Sequence, residues 1–273
     1  MAASEAGKKM AGDVPRLDAG VAHIARVYDY WLGGKDNFAV DRAAGDEALE
    51  AFPGLISSVR ANRAFLARTV RYLAKEQGIR QFLDIGTGIP ASNNTHEVAQ
   101  SVTPDARVVY VDNDPMVLAH ARALLNGGEQ GSTAYLDADL RDVSKILRVA
   151  ADTLDFTKPV AVMLIAVLHL ISESDDPAAV IATLMAAVPP GSTLAISHVP
   201  NDMHMGAMSD MSERLNRLLS QPSTYRSRAQ VTGFFDGLEL VDPGVVPIQQ
   251  WRPDTPEEAE AVAAMWGGVA VKR

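Results

Sequence analysis

Residues 82–90, FLDIGTGIP, join a short apolar run to a glycine turn that has an acid beside it. Glycines at such a turn let the backbone approach a ligand, and the N-terminus of the following helix attracts an anion. The spacing Gly86-x-Gly88-x-x-Ala91 formally satisfies the dinucleotide fingerprint, which binds a pyrophosphate. A tight strand-to-helix turn also uses glycine for steric reasons alone, so the glycines by themselves leave the ligand open.

The residues around this turn suit a cationic ligand without phosphate better than a dinucleotide. Asp84 precedes the first glycine by two residues, where a carboxylate would repel a pyrophosphate and attract an amino group. Pro90 removes one backbone N–H from the turn that a phosphate would need. S-adenosylmethionine (SAM) carries an amino group and no phosphate, so these two residues favour SAM.

Two further acids follow the next two predicted strands. Asp112 ends the second strand, where a carboxylate can accept hydrogen bonds from both ribose hydroxyls. Asp139 follows the third strand, where it can accept a hydrogen bond from an adenine amino group. Ribose recognition is shared with NAD, and an acid at a strand end is often only a helix cap, as we expect for Asp114. The series of three acids nevertheless fits SAM.

Methyl transfer from SAM needs a protein base only where the acceptor carries a proton, because the sulfonium already activates the methyl group. His198 at the end of the fifth strand and His204 in the loop beyond it are the candidate catalytic bases or substrate contacts. His169, after the fourth strand, is the weaker candidate. Lone histidines at such positions are more often structural. The methionines of this loop, Met203, Met205, Met208 and Met211, suit an adaptable apolar wall or an ordinary amphipathic helix.

The N-terminal segment YDYWLGGKDNF crowds aromatic and polar side chains around two glycines. Such a cluster suits a lid over a ligand, and Tyr28, Lys35 and Asn37 are the predicted contacts. The alternative is a helix that ends at Gly33 with its aromatic residues packed on the core. Trp251 is predicted to close the acceptor side of the site.

Short β-branched runs alternate with helical stretches after residue 78, which predicts an α/β fold with a mostly parallel sheet. The predicted strands are residues 81–85, 107–112, 133–136, 160–166, 193–197, 238–241 and 268–272. The predicted helices are residues 95–101, 115–125, 143–151, 177–188 and 256–265, with Asp-Pro or Thr-Pro start signals at three of them. Residues 1–18 are predicted as a flexible leader, residues 19–77 as a helical cap and residues 78–273 as the catalytic domain.

Composition excludes several functional classes. The chain has 273 residues, 47% of them hydrophobic, and a formal net charge of −9, which argues against nucleic acid or anionic membrane as a partner. Arg60, Arg63, Arg68 and Arg71 are read as the solvated side of a helix. The chain has no cysteine and no HExxH motif, so we predict no metal site. The absence of cysteine and of a signal-like apolar segment predicts a cytoplasmic protein.

The motifs FLDIGTGIP, VVYVDNDP, LDADLRD, MLIAVLHLI and VPPGSTLAISH resemble, in order and spacing, those of class I SAM-dependent methyltransferases. The segment ARVYDYWLGGKDNFAVDR resembles one family in particular, the bacterial S-adenosyl methyltransferase family, and the resemblance covers about residues 20–273. It implies a Rossmann-like fold with a seven-stranded, mostly parallel sheet, an antiparallel last strand and an N-terminal helical cap.

The resemblance also implies four groups of SAM contacts. Asp84, Gly86, Thr87 and Gly88 would lie at the methionine end of SAM, and Asp112 and Asn113 at its ribose and adenine. Asp139 and Leu140 would lie beside the adenine base, and Ala166 and Val167 beside the sulfonium. The chain departs from common class I enzymes at Thr87, where they often have Cys or Gly, and at Pro90, where they often have Gly.

The predicted function is methyl transfer from SAM to a small-molecule acceptor, with S-adenosylhomocysteine (SAH) as the product. The alternatives are an NAD(P)-dependent oxidoreductase, suggested by the glycine spacing, and a SAM-binding regulatory protein without catalysis, suggested by the lack of an evident base.

Overall fold

The computed structural model describes residues 18–117, residue 119 and residues 132–273. The predicted leader and most of the predicted helix at residues 115–125 lie outside these ranges. The strands are β1 Gln81–Ile85, β2 Arg107–Asp112, β3 Thr133–Asp137, β4 Ala161–Ile165, β5 Thr193–His198, β6 Glu239–Leu240, β7 Val246–Pro247 and β8 Trp266–Val271. The labelled α-helices are α1 Ile24–Trp31, α2 Ala39–Ala51, α3 Leu55–Lys75, α4 Thr95–Val102, α5 Val143–Ala150, α6 Pro177–Ala186, α7 Met205–Leu218, α8 Arg228–Gly233 and α9 Pro256–Glu260.

The strands of the described residues form one sheet in the order β3-β2-β1-β4-β5-β8-β6, and β7 also pairs with β8. Strands β1 to β5 pair in parallel, whereas β8 runs antiparallel to β5, β6 and β7. The mostly parallel α/β sheet with an antiparallel last strand is confirmed. The sheet has eight strands rather than seven, because residues after β6 turn at Gly244, whose φ is +82°, and pair with β8 a second time.

Both faces of the sheet are covered, as expected for parallel strands that read as continuous apolar runs. In β1, Leu83 and Ile85 belong to the core that includes α5 and α6, whereas Phe82 belongs to the core that includes α3 and α4. Every residue of β4 is buried. The predicted helix at residues 256–265 is shorter in the structure, where α9 ends at Glu260. The helix α7 contains Met205, Met208 and Met211, in agreement with the amphipathic helix that is one interpretation of the methionine segment.

The N-terminal helices form a third apolar cluster together with α7. A buried ion pair fixes α1 against α2, because the single Nε–H of Arg26 is shared between Oδ1 and Oδ2 of Asp41, at 3.1 and 3.0 Å. The same carboxylate accepts hydrogen bonds from the backbone N–H groups of His23 and Phe38, so the buried charge is fully compensated. Helix α3 belongs to two clusters, since Val59 packs with the N-terminal helices and Phe65 packs against the sheet.

Candidate functional site

A cavity with about 1060 Å³ of space lies at the carboxyl ends of β1, β2 and β4, where parallel sheets commonly bind ligands. Helix α1 and part of α3 cover it from the N-terminal side. The structure brings together there all the residues predicted to contact SAM. These are Asp84, Gly86, Thr87, Gly88, Asp112, Asn113, Asp139, Leu140, Ala166 and Val167.

The turn after β1 requires glycine for two different reasons. Gly86 and Gly88 have φ values of +76° and +67°, in the left-handed region that other residues avoid. A Cβ on Gly86 would also collide with Cγ2 of Val167, whereas a Cβ on Gly88 would meet no atom within 4 Å. The backbone at Gly86 therefore packs directly against Val167, just after β4, whereas the space beside Gly88 is open.

Asp112 organises the turn as well as facing the cavity. Its Oδ2 accepts a hydrogen bond from Gly88 N–H at 2.8 Å, and its Oδ1 accepts one from Asp114 N–H at 2.9 Å. Burial raises the pKa of Asp112. An ionised carboxylate has about four acceptor positions, so two remain for the hydroxyl groups of a ligand.

Asp84 is a buried carboxylate at the base of the cavity. Its Oδ2 accepts a hydrogen bond from Thr95 Oγ1 at 2.6 Å. Burial raises the pKa of Asp84 to about 6, although the bond from Thr95 opposes this shift. A cationic amino group in the cavity would compensate the buried charge and would hold Asp84 ionised.

Arg63 on α3 lines the same cavity, which corrects its interpretation as a solvated residue. Its Nη2 donates to the backbone carbonyls of Ser92 and Asn93 at 2.9 and 3.2 Å, whereas its Nε is buried and has no partner. Arg68 is likewise buried, and its guanidinium donates to Ile248 O and to Glu258. The helical spacing of the arginines did not distinguish these two from the exposed Arg60.

Asp139 has a partner that sequence reasoning missed. Arg141 Nη1 lies 3.1 Å from both carboxylate oxygens of Asp139, and its Nε lies 3.2 Å from Asp175. Asn113 Nδ2 donates to the same Asp139 carboxylate at 3.2 Å. This group of polar side chains borders the cavity at the ends of β2 and β3.

His23, immediately before α1, ties the N-terminal helices to the sheet. Its Nδ1 lies 2.6 Å from Oδ2 of the buried Asp114. Burial alone would raise the pKa of Asp114, but the hydrogen bond and the charge of His23 lower it. Asp114 also accepts a hydrogen bond from Met116 N–H, as a residue at a helix start does. His23 lines the cavity and was not singled out from the sequence.

A second cavity, with about 630 Å³ of space, adjoins the first. The two share Ile24 and Tyr28 of α1 and Ala166 at the end of β4. Met208 and Met211 of α7 line the second cavity, so the predicted apolar methionine wall is formed by two of the four methionines.

A chain of buried hydrogen bonds holds the wall between the two cavities. Ala166, which has a φ of +52°, donates its N–H to Ser197 Oγ at 3.0 Å. Ser197 donates to Asn62 Oδ1 at 2.6 Å, and Asn62 Nδ2 donates to Tyr28 Oη at 3.0 Å. The chain ends at Val59 O, which accepts from Tyr28 at 3.4 Å. It therefore connects β4, β5, α3 and α1.

The two candidate bases lie outside both cavities. His198 is fully buried; its Nε2 accepts from Arg226 Nη1 at 3.0 Å, so its Nδ1 donates to Val199 O at 2.8 Å. Burial, with the charge of Arg226 and the neighbouring His169, holds its pKa well below the usual range. His204 precedes α7, and its ring centroid lies 5.4 Å from that of Phe52.

Of the predicted cap and acceptor contacts, only Tyr28 lines a cavity. Lys35 is exposed, and Asn37 Nδ2 donates to Asp29 at 2.8 Å, which stabilises the loop after α1. Trp251 is fully buried on the sheet, with ring centroids 5.5 Å from Phe65 and 5.7 Å from Tyr72. The geometry thus places Lys35, Asn37 and Trp251 away from both cavities.

Among the residues that the structure describes, no group of three or more His, Asp or Glu side chains is arranged to hold a metal ion. No helix in that part of the chain is long and apolar enough to cross a membrane.

Comparison with known proteins also indicates a methyltransferase that uses SAM. A family model described as S-adenosyl methyltransferase matches residues 10–273. A DUF574 family protein from Streptomyces avermitilis is 44% identical, with a TM-score of 0.91 over 94% of this chain and 100% of that chain. A Thermobifida fusca protein proposed to be a methyltransferase is 43% identical, with a TM-score of 0.88 over 95% of this chain and 98% of its own.

A distant structure shares the fold. Magnesium protoporphyrin IX methyltransferase from Synechocystis, crystallised with SAH, is 14% identical and has a TM-score of 0.52, over 90% of this chain and 93% of that chain. No curated protein matches this chain significantly.

Proposed function

The chain belongs to the S-adenosyl methyltransferase family, and from that premise we propose that it transfers the methyl group of SAM to a small-molecule acceptor. The observation that carries the proposal is the first cavity, where a buried acid, a glycine turn and two strand-end acids converge at the carboxyl ends of three strands. SAM supplies a methyl group activated by its sulfonium. The protein has to bind SAM, orient it and exclude water from the site.

The polar groups of the cavity match the parts of SAM. Asp84 would hold the amino group, and the guanidinium of Arg63, which lines the cavity, would donate to the carboxylate in a charge-assisted hydrogen bond. Asp112 has acceptor positions left for the ribose hydroxyls. Asn113, Asp139 and Leu140 would flank the adenine. Thr87 would contact the methionine end through the turn, and Ala166 and Val167 would lie beside the sulfonium. The residues present therefore fit SAM.

We further propose that residues 19–77 act as a cap on the catalytic domain of residues 78–273. Ile24 and Tyr28 of this segment line both cavities, and His23 contacts Asp114 at the sheet. Withdrawal of α1 would open the site to water, so its contacts with the sheet help to exclude solvent during methyl transfer.

Calorimetric titration with SAM, SAH and NADH tests the cofactor before any acceptor is known. We expect binding of SAM and SAH. The variant Asp112→Asn should weaken SAM binding by about 2 to 3 kcal/mol, or roughly 30- to 150-fold, because it removes the charge that accepts the ribose hydrogen bonds. Asp137→Asn is the matched control, since the exposed Asp137 pairs with Asp112 in the sheet register but does not line the cavity.

Other results would separate the alternatives. Binding of NADH without SAM would support an oxidoreductase. Saturable SAM binding with no SAH formed from any acceptor in a broad panel would support a non-catalytic protein. Failure of the folded, ligand-free protein to bind SAM or SAH would contradict the proposed function.

A further inference from the structure

His169 is a buried histidine without a hydrogen-bond partner. It lies in the short turn Leu168–Leu170 after β4, is 7% exposed and lines the second cavity. Its Nδ1 is buried without a hydrogen-bond partner among the described residues. A buried polar group without a hydrogen-bond partner lowers the stability of a protein. The structure therefore keeps a polar side chain in the cavity at a cost in stability.

The surrounding contacts fix His169 in place and keep it neutral. Its carbonyl accepts a hydrogen bond from Thr224 N–H at 2.6 Å, and its ring lies edge-on to His198 at 6.0 Å. Burial, and then the charge of Arg226, lower the pKa of His169 to about 4. At neutral pH the ring thus has one nitrogen that donates and one that accepts.

Three other polar side chains of this cavity, those of Tyr28, Ser58 and Ser223, are already hydrogen-bonded. Tyr28 Oη is held by Asn62 and Val59, as described above. Ser58 donates to Gly54 O and accepts from Ala264 N–H. Ser223 donates to Asn216 at 3.0 Å. Among the described lining residues, His169 is the one with a buried polar side-chain atom that lacks a hydrogen-bond partner.

The rest of the lining is apolar and carries no charge. None of the described lining residues is Asp, Glu, Lys or Arg, so a charged ligand would lose its hydration without a counter-charge. Trp31 and Phe52 offer aromatic surfaces, and the methionines of α7 adapt to ligand shape.

We propose that the second cavity is the acceptor site, and that it takes an uncharged, ring-containing apolar molecule whose single hydroxyl group hydrogen-bonds to His169. The inference rests on the proposed function, because the cavity adjoins the proposed SAM site through Ile24, Tyr28 and Ala166. A hydroxyl both donates and accepts, so it satisfies the neutral imidazole in either tautomer. The contact also gives the acceptor a fixed orientation in an otherwise apolar cavity.

Equilibrium dialysis with three probes tests this site in the full chain saturated with SAH. The probes are 1-naphthol, naphthalene, which lacks the hydroxyl, and 1-naphthoate, which is charged. We expect 1-naphthol to bind roughly 2- to 12-fold more tightly than naphthalene, the range that one net hydrogen bond of about 0.5 to 1.5 kcal/mol gives. We expect 1-naphthoate to bind more weakly than naphthalene.

The variant His169→Phe should bind naphthalene at least as well as the wild type and should lose the preference for 1-naphthol. Retained naphthalene binding shows that the variant is folded with its cavity intact. Tyr225→Phe is the matched control, because it removes a tyrosine hydroxyl of the lining without removing the ring, and it should keep the preference.

A preference for 1-naphthol that survives His169→Phe would overturn the proposal, as would binding of 1-naphthoate as tight as that of 1-naphthol. Failure of all three probes to bind a protein that does bind SAH would overturn the acceptor site and leave the proposed function standing. Failure to bind SAH itself would instead contradict the proposed function.

Discussion

Replacement of Asn62 by leucine should destabilise the protein by far more than its small change in volume. Asn62 is 2% exposed and occupies the centre of the hydrogen-bond chain between β5 and α1. The substitution removes its bonds with Ser197 and Tyr28. Ser197 still accepts from Ala166, and Tyr28 still donates to Val59, but the hydroxyl proton of Ser197 has no acceptor left.

The size of the expected loss in the free energy of unfolding follows from these contacts. Two net hydrogen bonds of about 0.5 to 1.5 kcal/mol each, with one stranded buried donor, predict a loss of about 2 to 4 kcal/mol in the free energy of unfolding. Ser197→Ala alone should cost about 1 to 2 kcal/mol, because it strands the Asn62 carbonyl. The double variant removes both partners, so its cost should be less than the sum by about 0.5 to 2 kcal/mol.

Urea unfolding of the wild type, the two single variants and the double variant measures all four values under one condition. A cost below about 0.5 kcal/mol for Asn62→Leu would refute the reasoning, since the chain would then contribute nothing measurable. Strict additivity in the double variant would refute it too, because it would mean that Ser197 and Asn62 do not interact.

Three further predictions concern the first cavity. SAM affinity should fall by up to about tenfold per pH unit as the pH drops below about 6, because Asp84 then becomes protonated and no longer attracts an amino group; calorimetry between pH 5 and 8 measures this. Gly86→Ala should lower stability by about 2 to 4 kcal/mol in urea unfolding, from the left-handed φ and the clash with Val167 together. Arg63→Gln should weaken SAM binding by roughly 10- to 150-fold in calorimetry, through loss of a charged hydrogen bond.

Each of these three predictions has a control variant in the same protein. Asp84→Asn should make SAM binding weaker and nearly independent of pH in this range, and an unchanged pH profile would contradict the role of Asp84. Gly237 also has a positive φ, +80°, but a Cβ there meets nothing within 4 Å, so Gly237→Ala should cost only about 1 to 2 kcal/mol. Arg60 is exposed, so Arg60→Gln should leave SAM affinity unchanged; equal losses in both arginine variants would indicate a general charge effect.

The sheet could be predicted because its signals are local. The strands β1 and β2 have the predicted residues, since apolar runs bounded by polar and glycine residues identify strands buried on both faces. The predicted cofactor contacts follow from the same strands, because the ends of neighbouring parallel strands meet at one edge. Their convergence on one cavity needs only the strand order.

The histidines show where sequence reasoning fails. His198 and His169 both follow predicted strands at that edge, and the sequence favours His198 as the candidate base. Arg226, distant in the chain, hydrogen-bonds to His198 Nε2 and leaves His169 without a partner. Only the three-dimensional contact reveals this difference. Arg63 and Arg60 differ in the same way, since a helix face becomes buried or exposed according to what packs on it.

The two cavities are therefore built by different kinds of structure. The first uses backbone turns and strand-end acids, which tolerate little change because Gly86 and Asp112 also hold the turn itself. The second is lined largely by apolar side chains of α1, α3 and α7, and substitutions there alter shape and polarity without moving the sheet. Acceptor specificity can consequently change through α7 and the turn at His169 while the SAM site stays the same. Met208→Ala should change the relative affinities of acceptor-like probes and leave SAH affinity unaltered.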